Sequence, residues 1–89
     1  MKMKKTTAAI VTLYHPKKET AESLKALGKQ VDRLILSDNT PEADHREMFA
    51  EIPNTVYLAN RANLGLAAGI NRGLDTAEAR ESSDVFFFD

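Results

Sequence analysis

Cysteine is missing from the 89-residue chain, which excludes disulfides and thiolate metal centres. Zinc held by histidine and carboxylates is not expected either. The two histidines, His15 and His45, stand thirty residues apart, and neither has a ligand cluster around it. An excess of charge of either sign is also lacking. Twelve Lys and Arg against thirteen Asp and Glu leave a net charge of −1, so a dedicated nucleic-acid binder is not expected. No apolar run approaches the roughly 18 residues of a membrane-spanning helix. Residues 1–5 are basic and precede an apolar stretch, as in a signal peptide. That stretch is short, however, runs into Tyr14-His15-Pro16 and offers no small-residue cleavage site. A cytoplasmic protein is expected. Lys2, Lys4 and Lys5 are most simply a solvated terminus, although they allow a parent protein at the inner face of a membrane.

What is present is the composition of a globular domain, 43% hydrophobic and 28% charged. A domain of this size buries only about 60–65% of the surface its unfolded chain exposes, so stability should be modest. Residues 7–14 (TAAIVTLY) are apolar or β-branched without strict alternation, the pattern of a strand buried on both faces of a parallel sheet. Pro16 ends it. Ala21, Leu24, Leu27 and Val31 recur at helical spacing, which predicts a helix over 18–29 ending at Gly28. A second strand is predicted over 33–37.

Thr40-Pro41-Glu42 carries a cap, a first-turn proline and an acid, which predicts a helix over 40–50 with Met48 and Phe49 facing inward. A third strand over 55–59, a helix over 64–79 and an apolar strand over 84–88 complete the chain. In the last helix Gly65, Gly69 and Gly73 fall every fourth residue on one face. Each glycine costs about 1 kcal/mol relative to alanine, a cost that a close approach to the sheet or to a ligand would explain.

Strands alternating with helices define the fold class expected here: α/β, three layers, a mostly parallel sheet built from β-α units. Such open sheets bind ligands at the carboxyl ends of their strands. Those ends are polar: residues 12–15, Asp38-Asn39, residues 60–63 and Asp89.

In sequence order, Thr12-Leu13-Tyr14-His15-Pro16, Asp38-Asn39-Thr40, the segment from Asn63-Leu64-Gly65 to Asn71 and the apolar strand ending Phe88-Asp89 resemble the family-2 glycosyltransferases of the GT-A fold, in particular their rhamnosyltransferase-like branch. The likeness spans almost the whole chain. It implies the amino-terminal half of a GT-A, Rossmann-like fold: residues 1–89 as a nucleotide-sugar-binding subdomain that stops at the first Asp of the D-x-D motif, with the acceptor domain absent. The parent enzyme would transfer a sugar from a dTDP- or UDP-sugar to a carbohydrate acceptor with inversion.

By the same resemblance, Thr12 and Tyr14 line the nucleobase pocket and Asp38 accepts the pyrimidine N–H. Arg61 lies near the diphosphate. Asp89 begins the motif that holds the ribose and, through its later Asp, a divalent cation. Magnesium or manganese suits such oxygen-rich sites. No catalytic residue is assigned, because the catalytic base would lie in the acceptor half. This chain alone is expected to be inactive and to hold no cation strongly. His15 departs from the asparagine common at its position.

Simpler roles are open to the same residues. Tyr14 suits a half-buried strand-end aromatic, Asp38-Asn39 a turn, and Asn63 a helix cap, while both histidines suit the surface. A nucleotidyltransferase with the same pocket is the near alternative, but His15-Pro16-Lys17-Lys18 lacks the glycine of its usual loop; two functions of other classes compete as well. One is a receiver-like signalling domain with Asp38 as phosphoacceptor, although Thr12, Tyr14 and His15 do not supply the further acids its magnesium needs. The other is a non-catalytic α/β piece that self-associates through an unpaired edge at residues 85–88.

Overall fold

A computed structural model of the protein describes residues 5–88; Lys2, Lys4 and Asp89, named above, lie outside them. The described residues form a four-stranded, wholly parallel sheet in the order β3-β2-β1-β4, with strands β1 Thr7–Leu13, β2 Arg33–Asp38, β3 Thr55–Ala59 and β4 Asp84–Phe88. Helix α1 (Lys18–Gly28) lies on one face, with a 3-10 turn at Arg46–Phe49; α2 (Gly65–Leu74) and α3 (Ala77–Arg80) lie on the other. This is the expected three-layer α/β arrangement. No helix among the described residues is long and apolar enough to cross a membrane.

The alternation of side chains along each strand divides the core in two. Ala9, Val11, Leu13, Leu34 and Leu36 point toward α1 and meet Leu24, Phe49 and Ile52. Ala8, Ile10 and Ile35 point toward α2 and α3, where they meet Ala79 with Leu74 and Val85 at the margin. Both faces of β1 and β2 are covered, which is why their central residues, 8–11 and 34–36, are apolar without alternation.

Four expected elements differ. The helix over 40–50 does not form; only the 3-10 turn does, and Met48 is exposed while Phe49 is buried. Thr40 cannot serve as a helix cap, because its backbone N–H and its hydroxyl both donate to Asp38 Oδ1. Asp44 Oδ1 then accepts the Arg46 N–H, a local side-chain bond of the kind that competes with helical bonding. The helix over 64–79 is broken at Thr76, whose hydroxyl donates to the Gly73 carbonyl and accepts the Ala79 N–H, closing α2 and capping α3. β1 stops at Leu13 and β2 runs on to Asp38, one residue from where each was expected.

The glycine spacing has a partly physical answer. A Cβ on Gly73 would stand 2.6 Å from Ile10 Cγ2, so this turn of α2 lies directly against β1. Gly65 serves otherwise: it opens α2 at φ +82 with open space beside it.

Candidate functional site

The strand order reverses direction between β1 and β4, and the carboxyl ends of strands beside such a switch are where open α/β sheets admit ligands. A cleft of about 790 Å³ opens at this place; Thr12, Tyr14, Asn39, Asn63, Gly65 and Phe88 are among the residues that line it. β1 supplies Thr12 on the α2 face. The chain then turns through His15, whose φ of 49 lies in the left-handed region. Asparagine and histidine are among the few residues enriched there, so His15 fits a position the backbone restricts. The turn leaves Tyr14 57% exposed, its ring edge-on to the His15 imidazole at 4.3 Å.

Across the cleft, Asn39 ties β2 to the start of α2. Its Nδ2 donates to the Gly65 carbonyl at 3.0 Å, and its Oδ1 accepts from Asn60 Nδ2 at 2.7 Å. Asn63 Oδ1 accepts the N–H of Gly65, the first residue of α2, at 3.4 Å, while Leu64 at the cap position makes no side-chain cap bond.

Asp38 is placed differently. It pairs with Leu13 in the ladder, so its side chain points toward α1, whereas Thr12, paired with Ser37, points toward α2. The strand ends share one rim but the two side chains take opposite faces, and Asp38 does not line the cleft. Its carboxylate is 1% exposed and carries four internal hydrogen bonds. Oδ1 accepts from the Thr40 N–H at 3.1 Å and from its hydroxyl at 2.8 Å. Oδ2 accepts from His45 Nδ1 at 2.7 Å and from the Tyr57 hydroxyl at 2.5 Å. Burial pushes the Asp38 carboxyl up, but the bonds from Tyr57, His45 and Thr40 outweigh it, and Asp38 ionises below its ordinary range. Burial, reinforced by the hydrogen bond to Asp38, raises the Tyr57 phenol well above its own.

His45 and Tyr57 were not among the residues singled out from the sequence, and His45 is not the surface histidine expected: its side chain is only 18% exposed. Tyr57 carried a faint signal, because a tyrosine in an otherwise apolar strand needs a partner for its hydroxyl. Its ring stacks on Phe49 with centroids 6.0 Å apart, and the Arg46 guanidinium lies 5.6 Å above it. His45 carried none; its bond to Asp38 depends on the turn that replaces the expected helix.

Arg61 is exposed, holds a φ of 58 and is not among the lining residues of the cleft. Asp89, to which ribose and cation were assigned, lies outside the described residues. No group of three His, Asp or Glu among the described residues is placed to hold a metal ion.

Compared with family models, curated proteins and solved structures, the chain matches none of them.

Proposed function

We propose that the chain is the amino-terminal, nucleotide-binding unit of a glycosyltransferase whose parent moves a sugar from a dTDP- or UDP-sugar to a carbohydrate acceptor. The observation that carries this reading is the cleft: Thr12 and Tyr14 from the end of β1 meet Asn63 and Gly65 from the start of α2 in one opening at the switch point of the sheet. Tyr14 offers an exposed aromatic face for a base, and stacking on such a face contributes about 1–3 kcal/mol. Thr12 offers a hydroxyl. In this reading Arg61 would approach the phosphates, and Asp89 with residues of the parent would hold the cation.

The pyrimidine N–H is assigned to Asp38, and the internal bonds state the condition for that contact. One of four donors must give way, and His45 is far more accessible than Thr40, which is 1% exposed. A base that reaches Asp38 therefore moves the His45 ring. The receiver-like alternative draws less support, since Thr12, Tyr14 and His15 after the first strand supply none of the further acids its magnesium needs.

An NMR titration of the 89-residue chain with dTDP, UDP and ADP tests the proposal. Shifts at Thr12 and Tyr14, with movement of the His45 ring signals, are expected with the two pyrimidine nucleotides at millimolar affinity and not with ADP. Equal responses to all three, or none to any, overturn it. Shifts at Thr12 and Tyr14 without His45 keep the cleft and remove Asp38 from recognition of the base.

A further inference from the structure

His15 is held at its backbone and at the tip of its ring. The backbone N–H donates to Thr40 Oγ1 at 2.8 Å, at a residue whose φ of 49 restricts what can stand there. The ring's Nε2 lies 3.1 Å from Glu42 Oε1. Tyr14 packs edge-on against the same imidazole. The side chains of the pair are 50 and 61% exposed, so the pair adds little to stability. Its effect is on the orientation of the ring.

That orientation has a chemical consequence. A carboxylate only accepts, so the neutral imidazole carries its proton on Nε2 and keeps a lone pair on Nδ1. Among the described residues Nδ1 has no hydrogen-bond partner. His15 lines the cleft and Glu42 does not. The nitrogen left to serve the cleft is therefore an acceptor, one residue along from the exposed ring of Tyr14.

A pyrimidine nucleoside diphosphate has few donors to offer it. The phosphates only accept. The base presents one ring N–H, which the proposed function gives to Asp38. The donors that remain are the hydroxyls of the ribose, and the ribose is joined directly to the base that Tyr14 would carry. We infer that His15 Nδ1 accepts a hydrogen bond from a ribose hydroxyl of the nucleotide, with Glu42 as the positioning residue that turns the ring. The inference rests on the nucleotide-binding reading of the cleft, and it adds selection for the sugar to selection for the base. UDP has a 2′- and a 3′-hydroxyl, so a contact from Asp89 to the other one is compatible with it. A contact to the 2′-hydroxyl favours UDP over dTDP, whereas a contact to the 3′-hydroxyl serves both.

Chemical-shift titrations of the 89-residue chain at about pH 8 test this, with UDP, 2′-deoxy-UDP, 3′-deoxy-UDP and 2′,3′-dideoxy-UDP as probes. Loss of the hydroxyl that His15 holds should weaken binding about fivefold, the worth of one ordinary hydrogen bond. One of the two singly deoxygenated probes should show this loss, and the dideoxy probe should show it too. His15→Gly suits the left-handed backbone and removes the ring, so it should bind UDP and the dideoxy probe alike. His15→Asn also suits that backbone and sets Oδ1 where Nδ1 stood, so it should restore the preference. A merely structural role for the ring would give no such rescue. Nitrogen-15 shifts of the ring in the free chain should show the proton on Nε2, and Glu42→Ala should weaken both that bias and the preference for the hydroxyl.

Equal affinity of the wild type for UDP and the dideoxy probe overturns the inference and leaves the nucleotide site standing. So does a preference that His15→Gly keeps, an Asn variant no better than the Gly one, or a wild-type ring with its proton on Nδ1. Should His15→Gly lose its fold, the wild-type titrations and the ring shifts still decide. Failure of every pyrimidine nucleotide to bind overturns the reading of the cleft, and this inference with it.

Discussion

The Tyr57 hydroxyl donates to Asp38 Oδ2 at 2.5 Å and in the same position accepts the backbone N–H of His45 at 2.7 Å. One phenol thus joins β3 to the end of β2 and pins the turn between them. Tyr57→Phe removes both bonds at once and leaves a part-buried N–H without its partner. Unsatisfied groups of this kind cost about 1–3 kcal/mol each. The variant should lose about 2–3 kcal/mol in urea denaturation, a large share of the stability of so small a domain.

Acid should weaken the fold through the same carboxylate. Asp38 ionises below its ordinary range when folded, whereas in the unfolded chain it takes up its proton near the usual value of about 3.9. Between those two values the unfolded state binds more protons, so stability rises with pH. The Asp38 contribution is complete above about pH 5 and is lost as the pH falls through 4 toward the folded value. Asp38→Asn should be less stable at neutral pH and should flatten this part of the profile. A variant profile as steep as that of the wild type would place the acid sensitivity elsewhere.

Gly73→Ala puts a methyl group 2.6 Å from Ile10 Cγ2, against a side chain that is itself fully buried. Overpacking of this kind typically costs about 1–3 kcal/mol. It exceeds the roughly 1 kcal/mol that alanine gains over glycine in a helix, so a net loss of stability is expected. Thermal denaturation in an Ile10→Ala background, which removes Cγ2, checks the cause: Gly73→Ala should cost less there than in the wild type.

Tyr14→Ala should leave the melting temperature nearly unchanged, since the ring is more than half exposed. Affinity for dTDP and UDP should fall about fivefold or more, the lower end of what a stacked base contributes. Titration calorimetry or chemical-shift perturbation reads this directly, and wild-type affinity in the variant would separate Tyr14 from the nucleobase.

The parallel sheet was legible because the centres of β1 and β2, residues 8–11 and 34–36, are apolar without alternation, as in strands covered on both faces. The glycines were legible as a close approach, and Gly73 against Ile10 supplies one. The segment after Asp38 was misread for a physical reason. Thr40, Pro41 and Glu42 have the types of a helix start, but the same threonine is also the nearest donor to a buried carboxylate, and that demand takes precedence. Side-chain orientation at the rim was not visible from motif order. Thr12 and Asp38 come at corresponding places in successive strands, yet a shift of one residue in a period-two structure sends them to opposite faces.

The bond from the His15 N–H to Thr40 Oγ1, at 2.8 Å, extends the Asp38 cluster across the sheet. From the phenol on β3, through the carboxylate on β2 and the threonine hydroxyl, a lateral relay reaches the turn that presents Tyr14. The set of that turn is held from two strands away, by a residue with no place in the cleft. Loosening the outer strand should thus change the shape offered to a ligand as well as weaken the fold, and sequence drift at position 57 should be felt in selectivity and stability together.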